Sequence, residues 1–459
     1  MRILVITYYY YPDLTPRAFR WTEICEQWAK LGHDVHIVTA YQQGLARTEN
    51  KQGVSIHRAG GAGLKGFRAW VNGDKTRSKM GRASEQSFFD KSDVKTRHRT
   101  GWMKRLFRVI HDLTWRKIYW PDATCFWIWS AWRNSRKLCY ERSFDVLITV
   151  SHPFSGHVVG LRLKQACPSI LWLADNGDPF CFQERPAANN IRLYRKLNYW
   201  IEKRLLNSVD HFTVTTEGTA KIYQRLFPES LQKISVIPPL LQDAFLRTRS
   251  NRRDLFDSDA IILLFVGIFY SDIRNPRSLL TLIERLIKRS PLLRAKLQLH
   301  IIGSRKVIAE ELEGFRSLQG RVLLHGMLPH DMAVNAMHQS DCLINIGNRT
   351  SFQLPSKVIE YMATGKSILN LHSVEGDSSA KVLCDYPYHL NTRAGQYDDV
   401  DSIIQFVEQS SKKVLSREDT RQRVMGFLSQ PISDKYLSLI LGEDQINKSS
   451  SSYESLPAQ

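Results

Sequence analysis

Apolar positions along the chain fall alternately into short continuous runs and stripes of helical period, which predicts strands and helices in turn. Ile3 to Thr7 reads as a strand. Arg17 to Leu31 reads as a helix with Ile24, Trp28 and Leu31 on one face and Gly32 as its stop, and Val35 to Thr39 as the next strand. Gly60 to Asp93, rich in glycine, charge and polar residues, reads as a loop or partly disordered insert, after which Trp102 to Tyr119 is helical in period. Strand Phe144–Val150, helix Ser155–Ala166 and strand Ser169–Ala174 follow, then a long helix from about Asn190 to Leu206. Strand Phe212–Thr215, helix Glu217–Phe227 and strand Ile234–Ile237 close the first block.

Pro238-Pro239 and the polar stretch Arg247–Asp259 read as a linker, and the pattern then restarts. It runs through strand Ile261–Val266, helix Pro276–Lys288, strand Leu297–Ile302, a helix near Val307–Ser317, strand Val322–Leu324 and helix His330–Gln339. Strand Cys342–Ile346, helix Pro355–Thr364, strand Ser367–Leu371 and an amphipathic run Asp401–Leu415 complete it. Two such blocks predict an α/β protein of two doubly wound, Rossmann-like domains with parallel sheets. The N-terminal domain is expected over residues 1–240, with an insert at about 60–120, and the C-terminal domain over 241–446. The Ser-rich end, 447–459, reads as a disordered tail. Sheets of this kind bind ligands beyond the carboxyl ends of their strands, and two of them facing each other would enclose a cleft.

Composition adds limits. The 459 residues are 43% hydrophobic, which suits a soluble globular protein, and no run of eighteen apolar residues predicts a membrane span. The apolar start, Met1 to Thr7, is too short for a signal peptide. Seven scattered cysteines without a CxxC pair predict a reduced, cytosolic setting and no cysteine metal cluster. The net charge of +19 is concentrated: between Gly61 and Trp120 there are fifteen Lys/Arg against five Asp/Glu. Such a segment either binds phosphates, on nucleic acid, lipid or substrate, or is a solvated insert. Within it, Met103, Phe107, Ile110 and Thr114 form a stripe flanked by Lys104, Arg105, Arg108, Arg116 and Lys117. This pattern suits an anionic membrane surface, and equally a helix packed on the first sheet.

Candidate chemistry centres on "SFQLPSKVIEYMATGKSILN", Ser351 to Asn370. Pro355 is placed for a first helical position, Ile359, Met362 and Ala363 for burial, and Gly365 for a stop. A helix start after a strand attracts anions, Lys357 adds charge there, and Glu360 can accept hydrogen bonds from a sugar diol. An ordinary solvated Lys and Glu is the other reading. Asp175 and Asp178, in "WLADNGDPF", follow a strand end; Asp175 is placed either to act as a general base or to shape a turn. His152, in "SHPFSGH", is a cleft candidate or a structural histidine, and the Asp175/Asp178 pair alone is a poor metal site. Arg17 and Arg20, at i and i+3, can grip an acceptor phosphate or lie on the surface.

These segments, taken in order, resemble the GT-B glycosyltransferases of family 4, especially bacterial members that build surface polysaccharides. The resemblance covers Met1 to about Ile440. It rests on Arg2-Ile-Leu-Val and Tyr-Pro-Asp at the start, "LGHDVHIVTA", "DVLITVSHPFSGHVVG", "FVGIFYSDIRNPRSLL", "LHIIG", "VLLHG" and "LPSKVIEYMATGKSIL". It implies a C-terminal domain holding a nucleotide-diphosphate sugar, an N-terminal domain binding a glycan or lipid-linked acceptor, and retention of anomeric configuration. It further implies no bound metal, no cofactor and a peripheral place on the inner face of the membrane.

The resemblance carries over to particular residues. The helix Pro355–Thr364 would receive the donor diphosphate, with Gln353, Leu354, Pro355, Ser356 and Lys357 around it and Glu360 on the ribose. Gly267 would be the strand-end glycine, and Arg274 the basic residue that contacts the donor phosphates; pairing with a nearby acid is the plain alternative for Arg274. Arg17, Arg20 and Asp178 would face the acceptor, and Asp175 stands near a position where some members carry a histidine. The chain departs from the pattern at Phe352, where a glutamate is usual, at Ile268, where a second basic residue is usual, and in "YYYYPDLTPR", which lacks a glycine pair. An epimerase or hydrolase on the same fold, or a basic nucleic-acid-binding protein, are the competing readings. No nucleic-acid recognition motif is present, so nucleic acid is not expected as a partner.

Overall fold

The computed structural model describes residues 1–13, 15–61, 118–183, 187–247, 255–257, 259–270, 274–397 and 399–442. The expected basic helix up to Lys117, most of the Arg247–Asp259 linker and the Ser-rich tail lie outside the described residues. The chain forms two compact units. The first takes in Met1–Val214, Gln224–Ser235 and the end of the last helix from Leu437; the second takes in Thr215–Tyr223 and Val236–Tyr436.

The first unit is built on a sheet of eight strands: β1 (Arg2–Ile6), β2 (Asp34–Ala40), β3 (Thr48–Lys51), β4 (Val54–Ala59), β5 (Val146–Ser151), β6 (Leu171–Asn176), β7 (His211–Val214) and β8 (Ile234–Val236). Their order is β3-β4-β2-β1-β5-β6-β7-β8. The strands from β4 to β7 in this order pair in parallel, and β3 runs antiparallel to β4. β5 is buried along its whole length, as a strand covered on both faces must be.

Helix α1 (Pro16–Lys30) opens on Thr15, whose hydroxyl accepts from the Ala18 amide, with Pro16 at its first turn and Gly32 at φ +83° beyond its end. The expected hydrophobic stripe is buried at Ile24 and Trp28. Helices α2 (Trp127–Glu141), α3 (Ser155–Ala166) and α4 (Ile191–Ser208) follow, and then α5 (Glu217–Leu226), which up to Tyr223 belongs to the second unit.

Two elements of this unit were not anticipated. The hairpin β3–β4 turns at Gln52 and Gly53, both at positive φ, and glutamine in that conformation is not a turn signal. Helix α2 buries Trp127, Ala131, Ser135 and Leu138, a stripe at helical spacing whose small and polar members hide it from a hydrophobicity reading.

The second unit carries six parallel strands: β9 (Ile261–Val266), β10 (Leu297–Ile302), β11 (Val322–Gly326), β12 (Cys342–Ile346), β13 (Ser367–His372) and β14 (His389–Arg393), in the order β11-β10-β9-β12-β13-β14. β9 alternates strictly. Ile261, Leu263 and Phe265 enter one core with α6 (Arg277–Arg289), while Ile262, Leu264 and Val266 enter the other with α9 (Pro329-capped, His330–Gln339). Between these helices lie α7 (Pro291–Lys296) and α8 (Arg305–Leu312).

The expected helix Val307–Ser317 is instead α8 followed by a 3₁₀ turn, Arg316–Leu318. The helix expected over Pro355–Thr364 is shorter: α10 spans Lys357–Met362, with Ser356 as the preceding residue and Pro355 before it. Gly365 follows at φ +74°. Helix α11 (Ser378–Leu383), strand β14, α12 (Val400–Gln409), α13 (Arg417–Val424) and α14 (Ser429–Leu441) complete the chain. The amphipathic run expected to Leu415 thus ends as a helix at Gln409. No described helix is long and apolar enough to cross a membrane.

Candidate functional site

In the first unit, chemistry gathers where β5 and β6 end. Asp175, second to last in β6 and 1% exposed, accepts from three donors. Arg17 Nη1 and Trp21 Nε1 reach one carboxylate oxygen at 2.9 Å each, and the Thr213 hydroxyl reaches the other at 2.9 Å. The guanidinium of Arg17 lies across Gly177: a Cβ there would fall 1.2 Å from Arg17 Nη2, so only glycine leaves room. The expectation of Asp175 as a general base is therefore corrected. Both its oxygens are committed, and its charge is matched by Arg17, so it positions that arginine. Arg17 keeps 17% of its side chain exposed. Arg20 differs from it: 4% exposed, it is an interior residue, not a second exposed grip for a phosphate.

The loop after β6 is held from below. Glu202, on the buried face of α4, accepts from the Phe180 amide at 3.3 Å and the Cys181 amide at 2.8 Å. Phe180 stacks on Phe154 with centroids 3.9 Å apart. Asp178, half-buried, sits in this fixed loop. His152 is exposed beyond the end of β5, between Ser151 and Pro153. His157, which the sequence did not single out, is buried on α3 with Nδ1 2.8 Å from the Thr149 hydroxyl; burial pushes its pKa down to about 3. It is a neutral, structural imidazole at ordinary pH.

In the second unit, Arg274 follows β9. A two-residue bridge between Tyr270 and Arg274 fixes its backbone, with N–O distances of 3.1 and 3.0 Å. Its Nη2 donates to Asn348 Oδ1 at 2.8 Å, and its buried Nε has no partner. Burial lowers its pKa from the ordinary arginine value. A loop ion pair is thus not what holds it: its side chain bonds the neutral Asn348. Arg274 and Arg349 line a small pocket of about 30 Å³ together with Asn275 and Ser278. Gly267 follows β9 directly, its amide donating to the Ile302 carbonyl at 2.9 Å.

The carboxyl ends of β12 and β13 hold a polar framework that sequence reasoning missed. Asn345 Nδ2 donates to Asn370 Oδ1 at 2.7 Å, and Asn370 Nδ2 to Asn391 Oδ1 at 2.8 Å, an amide ladder across β12, β13 and β14. Asp377 caps α11 through Oδ1, 2.9 Å from the Ala380 amide. Its buried Oδ2 has no partner and lies against Gly347, where a Cβ would approach to 2.5 Å. The signal for Asp377 was local, an aspartate directly before Ser378-Ser379 at a helix start. The ladder had none, because it exists only in the strand register.

Lys357 and Glu360 do meet on α10: the ammonium donates to Glu360 Oε2, with both side chains partly exposed. His330 lies near both, and burial followed by the Lys357 charge holds its pKa below the usual value. Two first-turn amides expected to await an anion are engaged, Val358 with the Pro355 carbonyl at 3.1 Å and Ile359 with the Ser356 carbonyl at 3.2 Å. Gln353, Leu354, Pro355 and Ser356 are all half-buried in the loop before α10. Phe352, in the place of the usual glutamate, has its carbonyl held by the hydroxyls of Thr216 and Thr219, the latter at 3.0 Å. The Ser351 carbonyl accepts from Ser378 Oγ at 2.7 Å. The loop is therefore shaped by its backbone.

Comparison with known proteins bears on this arrangement. Residues 18–239 match the family described as the glycosyl transferase 4-like domain. No curated protein matches the sequence significantly. Among solved structures, a sucrose-phosphate synthase from Thermosynechococcus elongatus is similar at TM-score 0.63 and 13% identity, over 95% of this chain and 98% of that one. WaaG, a glycosyltransferase involved in lipopolysaccharide biosynthesis, is similar at TM-score 0.55 and 13% identity, over 96% and 100%. An E. coli trehalose-6-phosphate structure bound with UDP-2-fluoro glucose gives TM-score 0.59 at 12% identity, over 96% and 99%. The similarity in structure extends over both units, and the sequence match covers most of the first. The chain has the GT-B fold of these structures, and its residues 18–239 match the glycosyl transferase 4-like domain.

Proposed function

We propose that the protein moves a sugar from a nucleotide-diphosphate sugar to a glycan or lipid-linked acceptor, with retention, in surface-polysaccharide biosynthesis. The observation that carries the reading is Arg274: a half-buried arginine with a neutral partner and a buried, unpartnered Nε, beyond the first strand of a parallel sheet. A buried cation gains most from an anion that brings its own charge, and a donor diphosphate does so. That a solved neighbour holds UDP-2-fluoro glucose supports a nucleotide-sugar as the donor.

In this reading Glu360 accepts the ribose hydroxyls and Lys357 shares the phosphate charge. Gln353, Leu354, Pro355, Ser356 and Gly267 shape the donor's surroundings. Phe352 removes a carboxylate from the sugar subsite, so amides near Gln353 and Leu354 contact the transferred sugar. The acceptor hydroxyl attacks the anomeric carbon on the face the leaving phosphate departs from; the C–O bond to phosphate breaks, and the phosphate oxygen takes the hydroxyl proton. Arg274 stabilises the charge that builds on the leaving group. On the acceptor side Arg17, held by Asp175, offers charge to an acceptor phosphate, with Asp178 in the loop after β6 and His152 beyond the end of β5 as the further polar groups of this side. The chemistry needs no metal and no cofactor, and the protein works in the cytoplasm, peripherally on the inner membrane face.

The test is a thermal-shift screen of UDP-, GDP-, dTDP- and CMP-sugars, followed by turnover with lipid-linked acceptors with and without a chelator. Stabilisation by one nucleotide series and chelator-resistant transfer are expected. No stabilisation by any of them, or free sugar as the sole product, would overturn the reading.

A further inference from the structure

Asp377 stands directly before α11, past the end of β13, and is 2% exposed. Its Oδ1 accepts from the Ala380 amide at 2.9 Å and from Asn370 Nδ2 at 3.4 Å, both neutral donors. Its Oδ2 is buried without a partner, and an unmade bond at a buried polar atom costs stability. Capping α11 does not require that cost, because a serine hydroxyl caps a helix about as well and carries no charge.

The carboxylate lies against the stretch that carries the partner of Arg274. A Cβ on Gly347 would meet Oδ2 at 2.5 Å, so glycine is what lets the two approach. Asn348, the next residue, accepts from Arg274 Nη2 at 2.8 Å. Ile346 and Arg349, on either side of Gly347-Asn348, line the same small pocket as Arg274. Ser378 ties the start of α11 to the loop that follows, its Oγ donating to the Ser351 carbonyl at 2.7 Å. Asp377 does not bond Arg274. Its charge acts on the guanidinium through the interior and opposes part of the attraction that Arg274 offers to an anion.

We propose that Asp377 acts through Arg274 to limit how tightly the pocket holds a diphosphate, and so releases the nucleoside diphosphate left after sugar transfer. The role rests on the donor reading given above. In the donor, the terminal phosphate is esterified to the sugar. In the product it is a phosphate monoester, whose second pKa is about 6, so at neutral pH it carries up to about one more negative charge. A fixed carboxylate behind the arginine therefore repels the product more than the donor. Without that opposing charge the product would leave slowly, and its release would limit turnover.

Two variants of the full chain separate this role from a structural one. Asp377→Ser keeps a capping hydroxyl and removes the charge; Asp377→Asn removes the charge and keeps the shape. Titration calorimetry with UDP, GDP, dTDP, inorganic diphosphate and an uncharged nucleoside is set beside melting temperatures and product inhibition of turnover. Both variants should bind inorganic diphosphate, and the nucleoside diphosphate that the wild type takes, about fivefold or more tightly. Product inhibition should strengthen with it, the gain for the nucleotide-sugar should be smaller, and the nucleoside should bind as it does to the wild type. A residue that merely holds the fold predicts the opposite sign, weaker binding of every ligand with a lower melting temperature. Unchanged or weaker diphosphate binding in the folded variants, or an equal gain for the uncharged nucleoside, would overturn the role of Asp377 and leave the donor reading standing on the wild type's own binding. A wild type that binds no nucleoside diphosphate would overturn both.

Discussion

Each unit places one arginine just beyond its first strand, and the two are treated in opposite ways. Arg17 is closed. It meets Asp175 at 2.9 Å, and that carboxylate also holds Trp21 and Thr213. Arg274 is open. Its side chain bonds neutral Asn348, and its Nε waits without a partner in a buried place. The same residue type at equivalent places thus has two jobs. A cation neutralised inside the protein is fixed in direction and presents only its remaining edge. A cation left unneutralised stores a demand for an anion, which substrate can meet.

The largest expected effect tests the closed side. Asp175→Ala leaves Arg17 without its counter-charge and strips the bonds of Trp21 and Thr213. Removing one partner of a buried pair costs about 3–5 kcal/mol, so urea unfolding should show a loss on that scale. If Asp175→Ala keeps its stability and loses only turnover, the carboxylate is a proton acceptor after all and the contrast fails.

The open side predicts a kinetic effect instead. Arg274→Ala should lower kcat about a hundredfold or more at saturating nucleotide-sugar, with little change in melting temperature, because no internal ion pair is lost. A large fall in stability with near-normal kcat would make Arg274 a second structural arginine. Glu360→Ala is expected to be milder in rate and to act on donor affinity, by about 1.5–3 kcal/mol in a calorimetric titration, as one charge-assisted hydrogen-bonded contact is removed. Unchanged affinity would take the ribose away from this residue.

The smallest effects come from a second pairing between the units, in which similarity replaces contrast. His36 and His57 stack with rings 8° apart, Nδ1 to Nε2 at 3.1 Å, and His36 Nε2 reaches Asp34 at 3.0 Å. His300 and His325 stack at 12°, Nδ1 to Nε2 at 2.8 Å, and His300 Nε2 reaches Gln298 at 3.1 Å. Burial first, then the partner's charge, lowers His57 and His300 to about 4. Their folded pKa values lie below the ordinary 6.5, so the unfolded chain takes up protons first. The stabilisation is complete above about pH 6.5 and is lost as pH falls toward 4, at up to about 1.4 kcal/mol per pH unit for each group. Melting temperature should therefore fall with acid across that window. His300→Gln should flatten the slope more than His36→Gln, since His36 has Asp34 to offset its charge and His300 has only an amide. Equal slopes would show that the acceptor two residues earlier does not matter.

The alternation of elements was legible because it follows from local pattern. β9, Ile261–Val266, is an unbroken apolar run, and such a run has one stable home, a strand covered on both faces. Helices α3 and α9 begin and end where their periodicity does. Elements whose buried face is small or polar were not legible: α2 hides Ser135 and Ala131 among its buried residues, and the β3–β4 hairpin turns at a glutamine. Of the candidate site, Arg274, Lys357 and Glu360 were readable as charges at strand or helix ends. Their partners were not, nor was the commitment of Asp175.

The sequence by itself determined the kind of each element, the restart of the pattern after Pro239, the stops at Gly32 and Gly365, and the placing of charge near the ends of strands. Those properties depend on residues within a few positions of one another. Only the tertiary structure decided which charges meet. Arg17 and Asp175 lie 158 positions apart and touch because β1 and β6 flank β5 in one sheet. Asn345, Asn370 and Asn391 form a ladder because three strands share a register. A carboxylate's role depends on how many donors surround it, and that number is fixed by packing across the sheet, which local sequence does not encode.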